Sequence, residues 1–377
     1  MSVINAKHWL QKIHALNGSK KIKIMNVCGG HERTISSAGI RHVLPDNIEL
    51  IPGPGCPVCV CPEEDIFLAI QLALDEDIIL VTFGDMLRVP VNVAKKEART
   101  LEQARAKGAD VRAIASPLEA IKIAEENKQK KIVFFAAGFE TTMSPVAAMI
   151  VQGLPDNLML LLSGRLTWPA VAMLLASDDV NFDALIAPGH VSTVMGPEEW
   201  SFVVDKYQLP VAIAGFEAES MLAAIYSVLR QKQEQRIFLD NCYQEVVHEG
   251  GNLTAKKLLH EAMDIVDSNW RGIGVIKQSG FKLSNLYSKH DARLVFATAH
   301  DAQRRRLGEM PAGCDCAKVV LGKIVPTECR LYGAACTPES PIGPCMVSDE
   351  GACHIWWNTR RKGTVNSLSQ TIAPLII

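Results

Sequence analysis

Cysteines are concentrated near the end of this 377-residue chain, at a spacing that could bind metal. Six of the eleven cysteines lie between residues 314 and 353, separated by glycines and prolines that predict a loop-rich segment. Soft thiolates in such a segment are typical ligands of an iron–sulfur cluster, which is the interpretation we favour. The six are Cys314, Cys316, Cys329, Cys336, Cys345 and Cys353.

Zinc and disulfides are the two alternatives for this cysteine-rich segment. Structural zinc sites usually contain two C-x2-C-type pairs, which the spacing here does not provide. Three disulfides would require an oxidising compartment, and residues 1–16 lack the charged and then apolar pattern of a signal peptide. The spacing alone leaves both alternatives open.

A second group of possible ligands lies in the N-terminal part of the chain. Cys56-Pro57-Val58-Cys59 is a C-x2-C pair in front of a predicted helix, where helix N–H groups stabilise a thiolate and two sulfurs can close a reversible disulfide. Cys28-Gly29-Gly30-His31 adds a C-x2-H pair, so zinc bound by both motifs is an equal alternative. Cys61 is interpreted as a buried bystander.

Cys28 is the thiol that we expect to be open to a metal or a partner. Two glycines follow it directly, so other backbone could approach closely. The alternative is that Cys28 is a small buried hydrophobic residue, as unpaired cysteines often are.

Three further polar residues follow predicted strands and are candidates for the same site. His31 could orient or protonate a ligand, or it could cap the helix after it. His190, in a Pro-Gly-His turn, has a functional and a structural interpretation of equal weight. Glu140 opens a predicted helix, so a capping role would explain it, and facing a cleft is the functional alternative.

The composition is that of a soluble cytoplasmic protein. Hydrophobic residues make up 48% of the chain, charged residues 21%, and the formal net charge is −2. This balance does not indicate a nucleic-acid partner. No apolar run reaches the roughly 18 residues of a membrane span, so we expect no membrane association.

Residues 21–235 alternate between short aliphatic runs and longer amphipathic runs, which predicts an α/β fold. Nearly continuous apolar strands separated by helices indicate parallel sheets with helices on both faces. The predicted strands are Ile22–Val27, Ile48–Ile51, Ile78–Phe83, Asp110–Ala115, Lys131–Ala136, Leu158–Leu162, Ala184–Ala187 and Val211–Ala214. The predicted helices include Glu63–Leu74, Val91–Lys107, Pro117–Asn127, Thr142–Gln152, Pro169–Ala176, Pro197–Tyr207 and Ala218–Gln235, with helical stretches at Asn241–Val247 and Thr254–Val266.

Two sheets are favoured over one by a short internal similarity. Phe135–Glu140 resembles Ile213–Glu217, and each segment closes a strand and opens a helix. We therefore expect two parallel-sheet domains, residues 1–130 and 131–237, and a smaller, mostly helical or irregular iron–sulfur domain, residues 238–377, with a loosely ordered tail after Arg361. In such sheets, functional groups collect beyond the carboxyl ends of the strands.

The motifs together resemble the HypD family of [NiFe]-hydrogenase maturation factors. The resemblance is collinear from Ile24 to Trp357. It rests on the motifs Cys28-Gly-Gly-His-Glu32, Gly53-Pro-Gly-Cys-Pro-Val-Cys59, Gly138-Phe-Glu-Thr-Thr142, Ala187-Pro-Gly-His-Val-Ser192 and Met346-Val-Ser-Asp-Glu-Gly-Ala-Cys353.

The resemblance implies a scaffold on which iron acquires cyanide and carbonyl ligands before delivery to the hydrogenase large subunit. It implies that Cys28 holds this iron and that Cys56 and Cys59 are a redox-active pair. A [4Fe–4S] cluster on Cys316, Cys329, Cys336 and Cys353 would supply electrons, and Cys314 and Cys345 would be spare. The implied partners are a small HypC-type chaperone and a HypE-type cyanide donor.

Two other functions are compatible with the same residues. An iron–sulfur thiol–disulfide oxidoreductase acting on a protein substrate would use the C-x2-C pair but would need no iron at Cys28. A zinc-stabilised binding protein would have no redox chemistry. A radical S-adenosylmethionine enzyme is disfavoured because the chain has no C-x3-C-x2-C spacing.

Overall fold

A computed structural model of the chain describes residues 3–16, 18, 20–297 and 308–361. Nine strands form two parallel sheets among these residues, which confirms the predicted α/β class. They are β1 (Ile22–Asn26), β2 (Ile48–Pro52), β3 (Ile78–Phe83), β4 (Asp110–Ile114), β5 (Lys131–Gly138), β6 (Leu158–Gly164), β7 (Ala184–Pro188), β8 (Val211–Ala214) and β9 (Leu239–Asn241). Sheet A has the order β2-β1-β7-β8-β9, and sheet B has the order β4-β3-β5-β6.

Helices connect the strands, and several of them start at a side-chain cap. The helix at Pro117, for example, has a capping box in which the Ser116 N–H donates to Glu119 at 2.9 Å. The helices are α1 (Val3–Ala15), α2 (Gly29–Ser37), α3 (Ile40–Val43), α4 (Pro57–Val60), α5 (Glu63–Asp75), α6 (Leu101–Ala106), α7 (Pro117–Glu126), α8 (Glu140–Gln152), α9 (Thr167–Leu175), α10 (Gly189–Met195), α11 (Ser201–Asp205), α12 (Ala218–Glu234), α13 (Leu253–Ala262), α14 (Ala292–Val295), α15 (Cys316–Val320) and α16 (Ala352–Arg361). Short 3-10 turns occur at Gly84–Arg88, Pro197–Trp200, Asn285–His290, Pro326–Glu328 and Pro344–Met346.

All eight predicted strands are present, and each boundary lies within two residues of its prediction. Their apolar side chains are buried because helices cover both faces of each sheet; every residue of β6 and of β7 is buried. The two segments with similar sequences end strands in different sheets, β5 in sheet B and β8 in sheet A.

The chain leaves sheet A and returns to it, so the sheets do not follow the predicted domain boundaries. Strands β1 and β2 lie in sheet A, β3 to β6 form sheet B, and β7 to β9 complete sheet A. Residue 130 falls between β4 and β5, which both belong to sheet B and both pair with β3. Residue 237 precedes β9, which pairs with β8.

Three predicted helices are wrong in whole or in part. Only Leu101–Ala106 of the range Val91–Lys107 is helical, because Thr100 caps the helix and the preceding residues pack as irregular chain. The range Asn241–Val247 forms a turn after β9. Helix α13 ends at Ala262, because the chain then forms an antiparallel hairpin of β10 (Met263–Trp270) and β11 (Gly274–Leu283).

The cysteine-rich segment packs into a hydrophobic core shared with sheet B. This core contains Cys56 and Cys59, sheet B residues such as Phe135, Trp270 of the hairpin, and Cys345. The segment is therefore held against both α/β regions by buried apolar contacts. Within the described part of the chain, no helix has the length and apolar character that crossing a membrane requires. The tail after Arg361 lies outside the described residues.

Candidate functional site

Cys28 and the Cys56-Pro57-Val58-Cys59 motif meet at the carboxyl edge of sheet A. They follow the adjacent strands β1 and β2, whose last residues, Asn26 and Pro52, are aligned in the sheet. The Gly29 N–H donates to the Gly55 carbonyl at 3.0 Å. A Cβ on Gly55 would lie 2.3 Å from the Cys28 nitrogen, so only glycine allows the two turns to approach this closely.

Cys56 and Cys59 form a disulfide at the start of the short helix α4. The Cys59 N–H also donates to the Cys56 sulfur at 3.1 Å. The two residues are only 5% and 3% exposed, so a large molecule could not reach the bond from solvent. A disulfide provides no thiolate ligands, so zinc could bind this loop only after the bond is reduced. Zinc at this loop and a redox role of the pair both stay predictions.

Cys28 is a half-buried N-terminal cap of α2 with an unusually weak acidity. Burial and the nearby Glu350 carboxylate raise the pKa of the Cys28 thiol to about 12, although the backbone N–H groups of His31 and Gly30 oppose this rise. Cys28 is therefore a protonated thiol near neutral pH, and a metal ion would have to displace its proton in order to bind.

A segment of the cysteine-rich region closes the site from the other side. Glu350 packs directly on Gly29, where an added Cβ would lie 2.4 Å from the Glu350 Cβ. A pocket between the two has a volume of about 10 Å³, which is roughly the space for one water. Its lining includes Asn26, Cys28, Glu32, Cys56, Cys59, Cys345 and Glu350. Cysteine sulfurs from three separate parts of the sequence therefore share one pocket: the Cys28 thiol, the Cys56–Cys59 disulfide and the Cys345 thiol.

All six C-terminal cysteines lie in one region, and five of them are buried. Hydrogen bonds with the Cys316 and Cys353 thiols raise the pKa of Cys345. Hydrogen bonds with Cys316, and then with Cys345, lower the pKa of Cys353. An added Cβ on Gly343 would lie 2.4 Å from the Cys314 sulfur and 2.5 Å from the Cys316 sulfur. The Ile342 N–H donates to the Cys336 sulfur at 3.4 Å. Buried thiols with backbone donors have the chemistry that an iron–sulfur cluster needs. The described residues nevertheless contain no three His, Cys, Asp or Glu side chains placed to hold a metal ion, so the cluster stays a prediction.

The four cysteines expected to bind the cluster lie in this region, and so do Cys314 and Cys345, which were expected to have no role in it. Cys316, Cys329, Cys336 and Cys353 are each less than 10% exposed. Cys314 contacts Cys316, and Cys345 is completely buried. Cys345 also lines the pocket of Cys28 and the disulfide, so it lies between that pocket and the other C-terminal thiols.

His31 and His190 both contact Phe216 at the same edge of sheet A. The His190 ring stacks on Phe216 with centroids 3.7 Å apart, and the His31 ring is tilted at 4.9 Å. The His31 Nε2 donates to the Ala214 carbonyl at 2.9 Å, and burial lowers the pKa of His31 to about 4. Among the described residues, His31 Nδ1 has no hydrogen-bond partner. His31 is therefore neutral, while His190 is exposed.

Glu140 lies at the carboxyl edge of sheet B and bonds to the next helix. Its carboxylate accepts hydrogen bonds from the Thr167 N–H at 2.6 Å and the Thr167 hydroxyl at 2.8 Å. Burial nevertheless raises the pKa of Glu140 to about 7. These contacts are those of a buried helix cap, and a role in chemistry stays a prediction.

Cys61 and Glu32 complete the residues around the site. Cys61 is completely buried, 3.3 Å from the Ser163 hydroxyl, and its pKa is raised to about 12 by burial. Glu32 belongs to the motif after Cys28 but received no role from the sequence. Its carboxylate accepts a 2.6 Å hydrogen bond from the Trp356 indole, which lies 324 positions later in the chain. No local pattern reveals a contact between residues so far apart.

Comparison with known proteins agrees with this arrangement of motifs. The HypD model, described as "Hydrogenase formation hypA family", matches residues 4–360. The chain belongs to the HypD family. It is 41% identical to the hydrogenase maturation factor HypD2 of Bradyrhizobium diazoefficiens over 352 residues, covering 91% of this chain and 90% of the relative.

Two other HypD-family relatives come from distant organisms. A hydrogenase expression/formation protein of Methanocaldococcus jannaschii is 40% identical, with 90% of this chain and 93% of the relative covered. The hydrogenase maturation factor HypD of Escherichia coli is 38% identical, with 91% and 90% covered. The similarity thus spans both sheets and the cysteine-rich segment.

Proposed function

We propose that this chain is a hydrogenase maturation scaffold that holds iron while the iron acquires cyanide and carbonyl ligands. Electrons would reach the site from a [4Fe–4S] cluster through the Cys56–Cys59 pair, and the finished unit would pass to the [NiFe]-hydrogenase large subunit. A maturation role is supported by the family and by the names of its relatives.

The observation that carries the proposal is the pocket shared by sulfur atoms from three parts of the chain. Cys28, the Cys56–Cys59 disulfide and Cys345 all line it, and Cys345 contacts the Cys316 and Cys353 thiols. This adjacency supports the proposal that Cys28 holds iron and that electrons pass from the C-terminal cysteines through the disulfide.

Cys28 is the residue that we propose to hold the iron. Its thiol would lose a proton to solvent as Fe(II) binds, and the resulting thiolate is a soft ligand. The closed pocket has space for about one water, so we propose that it opens when iron and its diatomic ligands bind at Cys28. His31 is neutral and fixed beside Phe216, and we propose that it orients the turn that carries Cys28.

Cys329, Cys336 and Cys353 would hold the cluster, with Cys316 as the fourth ligand expected from the spacing. When bound, the cluster would supply single electrons at a low potential. Reducing the Cys56–Cys59 bond takes two electrons and two protons and gives two thiols, so two successive transfers from an external low-potential donor are required.

The partners proposed for this chain are a small HypC-type chaperone and a HypE-type cyanide donor, both in the cytoplasm. No nucleic acid or membrane is required. An exposed His190 and the half-buried Cys28 leave the edge of sheet A accessible to a small partner.

The alternative function, a disulfide oxidoreductase for protein substrates, has less support. Such an enzyme needs a disulfide that a protein thiol can attack, but Cys56 and Cys59 are nearly completely buried. Turnover of a protein disulfide by the isolated chain would favour this alternative.

Anaerobic purification of the full chain tests the cluster. We expect a brown protein with about four irons and four sulfides per chain. A colourless protein that contains only zinc would contradict the proposal. Alanine substitution of Cys329, Cys336 or Cys353 should remove the iron and the colour.

Cys314→Ala and Cys316→Ala form a matched pair, because both sulfurs pack against Gly343. We expect loss of the cluster in Cys316→Ala and its retention in Cys314→Ala. The opposite result would reassign the fourth ligand to Cys314. Cys345→Ala should keep the cluster, and loss of iron there would make Cys345 a ligand.

A further inference from the structure

A buried carboxylate connects the helix of Cys353 to the turn of Cys28. Glu32 is 2% exposed, and four donors surround its two oxygens. Trp356 Nε1 donates to Oε1 at 2.6 Å, with Ser36 at 3.4 Å. Arg41 and Asn26 donate to Oε2 at 2.8 and 3.0 Å. Although burial favours the neutral form, these donors hold the pKa of Glu32 below its usual value.

The Glu32 end of this contact is rigidly attached to Cys28. Glu32 is in the first turn of α2, and its N–H donates to the Cys28 carbonyl at 3.0 Å. Its side chain also lines the pocket that contains the Cys28 sulfur. A displacement of Glu32 would therefore move the Cys28 turn.

The Trp356 end is attached to a proposed cluster ligand. Helix α16 begins at Ala352, and Trp356 follows Cys353 by three positions, so the two side chains lie on the same face of the helix. The Arg41 guanidinium also lies over the Trp356 ring, 4.9 Å from its centroid. Trp357, the next residue, instead meets Tyr332 within the cysteine-rich segment.

Two backbone contacts reinforce the same junction. Arg33 on α2 donates to the Asp349 carbonyl at 2.8 Å. Glu350 packs on Gly29 so closely that no side chain would fit there. The residues just before α16 and the residues just after Cys28 thus form one continuous contact.

We propose that Trp356 is a positioning residue, which couples the state of the Cys353 thiol to the exposure of Cys28 through its hydrogen bond to Glu32. Binding of Cys353 to the cluster fixes the first turn of α16, and the Trp356–Glu32 bond then holds the Cys28 turn in the closed pocket. Loss of the cluster releases that turn. This inference rests on the proposed function, because it takes Cys353 as a cluster ligand and Cys28 as the iron carrier.

The test compares alkylation of Cys28 in the full chain with its cluster and after the cluster has been removed by a chelator. N-ethylmaleimide labelling is followed by peptide mass spectrometry, and iron and sulfide are measured on the same samples. In the unsubstituted chain we expect cluster removal to accelerate labelling of Cys28 about tenfold, the factor expected for losing a charge-assisted hydrogen bond.

Trp356→Phe keeps the ring over Arg41 but removes the N–H donor. We expect it to keep the cluster and to label rapidly at Cys28 in both states, so that the two rates differ by less than about threefold. Glu32→Gln keeps an acceptor for the indole but loses the charge. Its ratio of Cys28 labelling rates without and with the cluster should lie between those of the unsubstituted chain and Trp356→Phe. Trp357→Phe is the matched control and should keep the ratio of the unsubstituted chain.

The inference would be overturned if Trp356→Phe kept the same ratio of Cys28 labelling rates without and with the cluster as the unsubstituted chain. It would also be overturned if Trp357→Phe reduced this ratio as much as Trp356→Phe, because general packing would then explain the effect. An unsubstituted chain whose cluster does not protect Cys28 would also overturn it. Absence of iron and sulfide from the unsubstituted chain is a separate result, because it contradicts the proposed cluster itself.

Discussion

The carboxyl edges of sheets A and B share a backbone design but carry different chemistry. Each includes a Gly-Phe-Glu turn between a strand and a helix, at Gly215–Glu217 in sheet A and Gly138–Glu140 in sheet B. The edge of sheet A collects thiols and faces the cysteine-rich segment. The edge of sheet B carries the Glu140 carboxylate, which accepts hydrogen bonds from the Thr167 N–H and hydroxyl. The same strand–turn–helix backbone therefore serves both edges, and the side chains placed on it, together with the cysteine-rich segment packed against it, decide the chemistry of each edge.

Removing one sulfur of the Cys56–Cys59 pair should cause the largest loss of the function proposed for the edge of sheet A. In Cys59→Ser the disulfide cannot form, so we expect no detectable attachment of cyanide or carbonyl to iron. Cys61→Ser is the matched control, because this sulfur is two positions away, bonds to Ser163 and lies outside the pocket lining. Infrared bands of full intensity in Cys59→Ser would show that ligand attachment does not need the pair.

Glu140 should make the edge of sheet B less stable as the pH rises. Its pKa is about 7 in the folded chain against an ordinary value of 4.5, so its stabilising contribution is complete below pH 4.5 and is lost as the pH rises through 7. The loss should be about 3 kcal/mol. Glu140→Gln should flatten this dependence between pH 4.5 and 7.5, measured by thermal unfolding at several pH values. An unchanged slope would mean that Glu140 is ionised in the fold.

His31 should give the edge of sheet A the opposite dependence. Its pKa is about 4 in the folded chain and 6.5 ordinarily, so its contribution is complete above pH 6.5 and is lost as the pH falls through 4. The size is again about 3 kcal/mol. His31→Gln retains a donor for the Ala214 carbonyl and should remove the dependence between pH 6.5 and 4. Equal slopes in this variant and the unsubstituted chain would contradict a buried neutral imidazole.

Glycines at the two edges should tolerate a methyl group differently. Gly55→Ala places a Cβ 2.3 Å from the Cys28 nitrogen, so we expect a loss of about 2 kcal/mol or more and displacement of Cys28. Gly84, after β3 in sheet B, has no atom within 4 Å of an added Cβ. Gly84→Ala should change stability by no more than about 0.5 kcal/mol. Thermal unfolding of both variants measures this difference. Equal midpoints would contradict the close approach of the turns that carry Cys28 and Gly55.

The strands could be predicted from sequence because burial on both faces makes each one a nearly continuous apolar run. Their division between two sheets could not be read locally, since β1 pairs with β7, far along the chain. The hairpin of β10 and β11 was missed for a related reason, as its pairing competes with a helical pattern in Thr254–Val266. The two glycines Gly272 and Gly274 were a signal of that hairpin in the sequence, and in the structure both have positive φ.

The motif residues of the site could also be predicted, but not the contacts that join them. Chain position indicated that Cys28 and Cys56 follow neighbouring strands, and the structure brings them together. The position of Cys345 between the pocket and the other thiols depends on tertiary packing, as does the Trp356–Glu32 bond. The resemblance to the family's cluster spacing therefore leaves Cys345 as a spare.

Infrared spectroscopy of the chain purified anaerobically with a HypC-type chaperone reports whether Cys28 holds the iron and its diatomic ligands. We expect cyanide and carbonyl stretching bands from the unsubstituted chain, and their complete loss in Cys28→Ala with the iron–sulfur absorption unchanged. Bands of undiminished intensity in Cys28→Ala would contradict the account, because the iron would then be held by a residue other than Cys28.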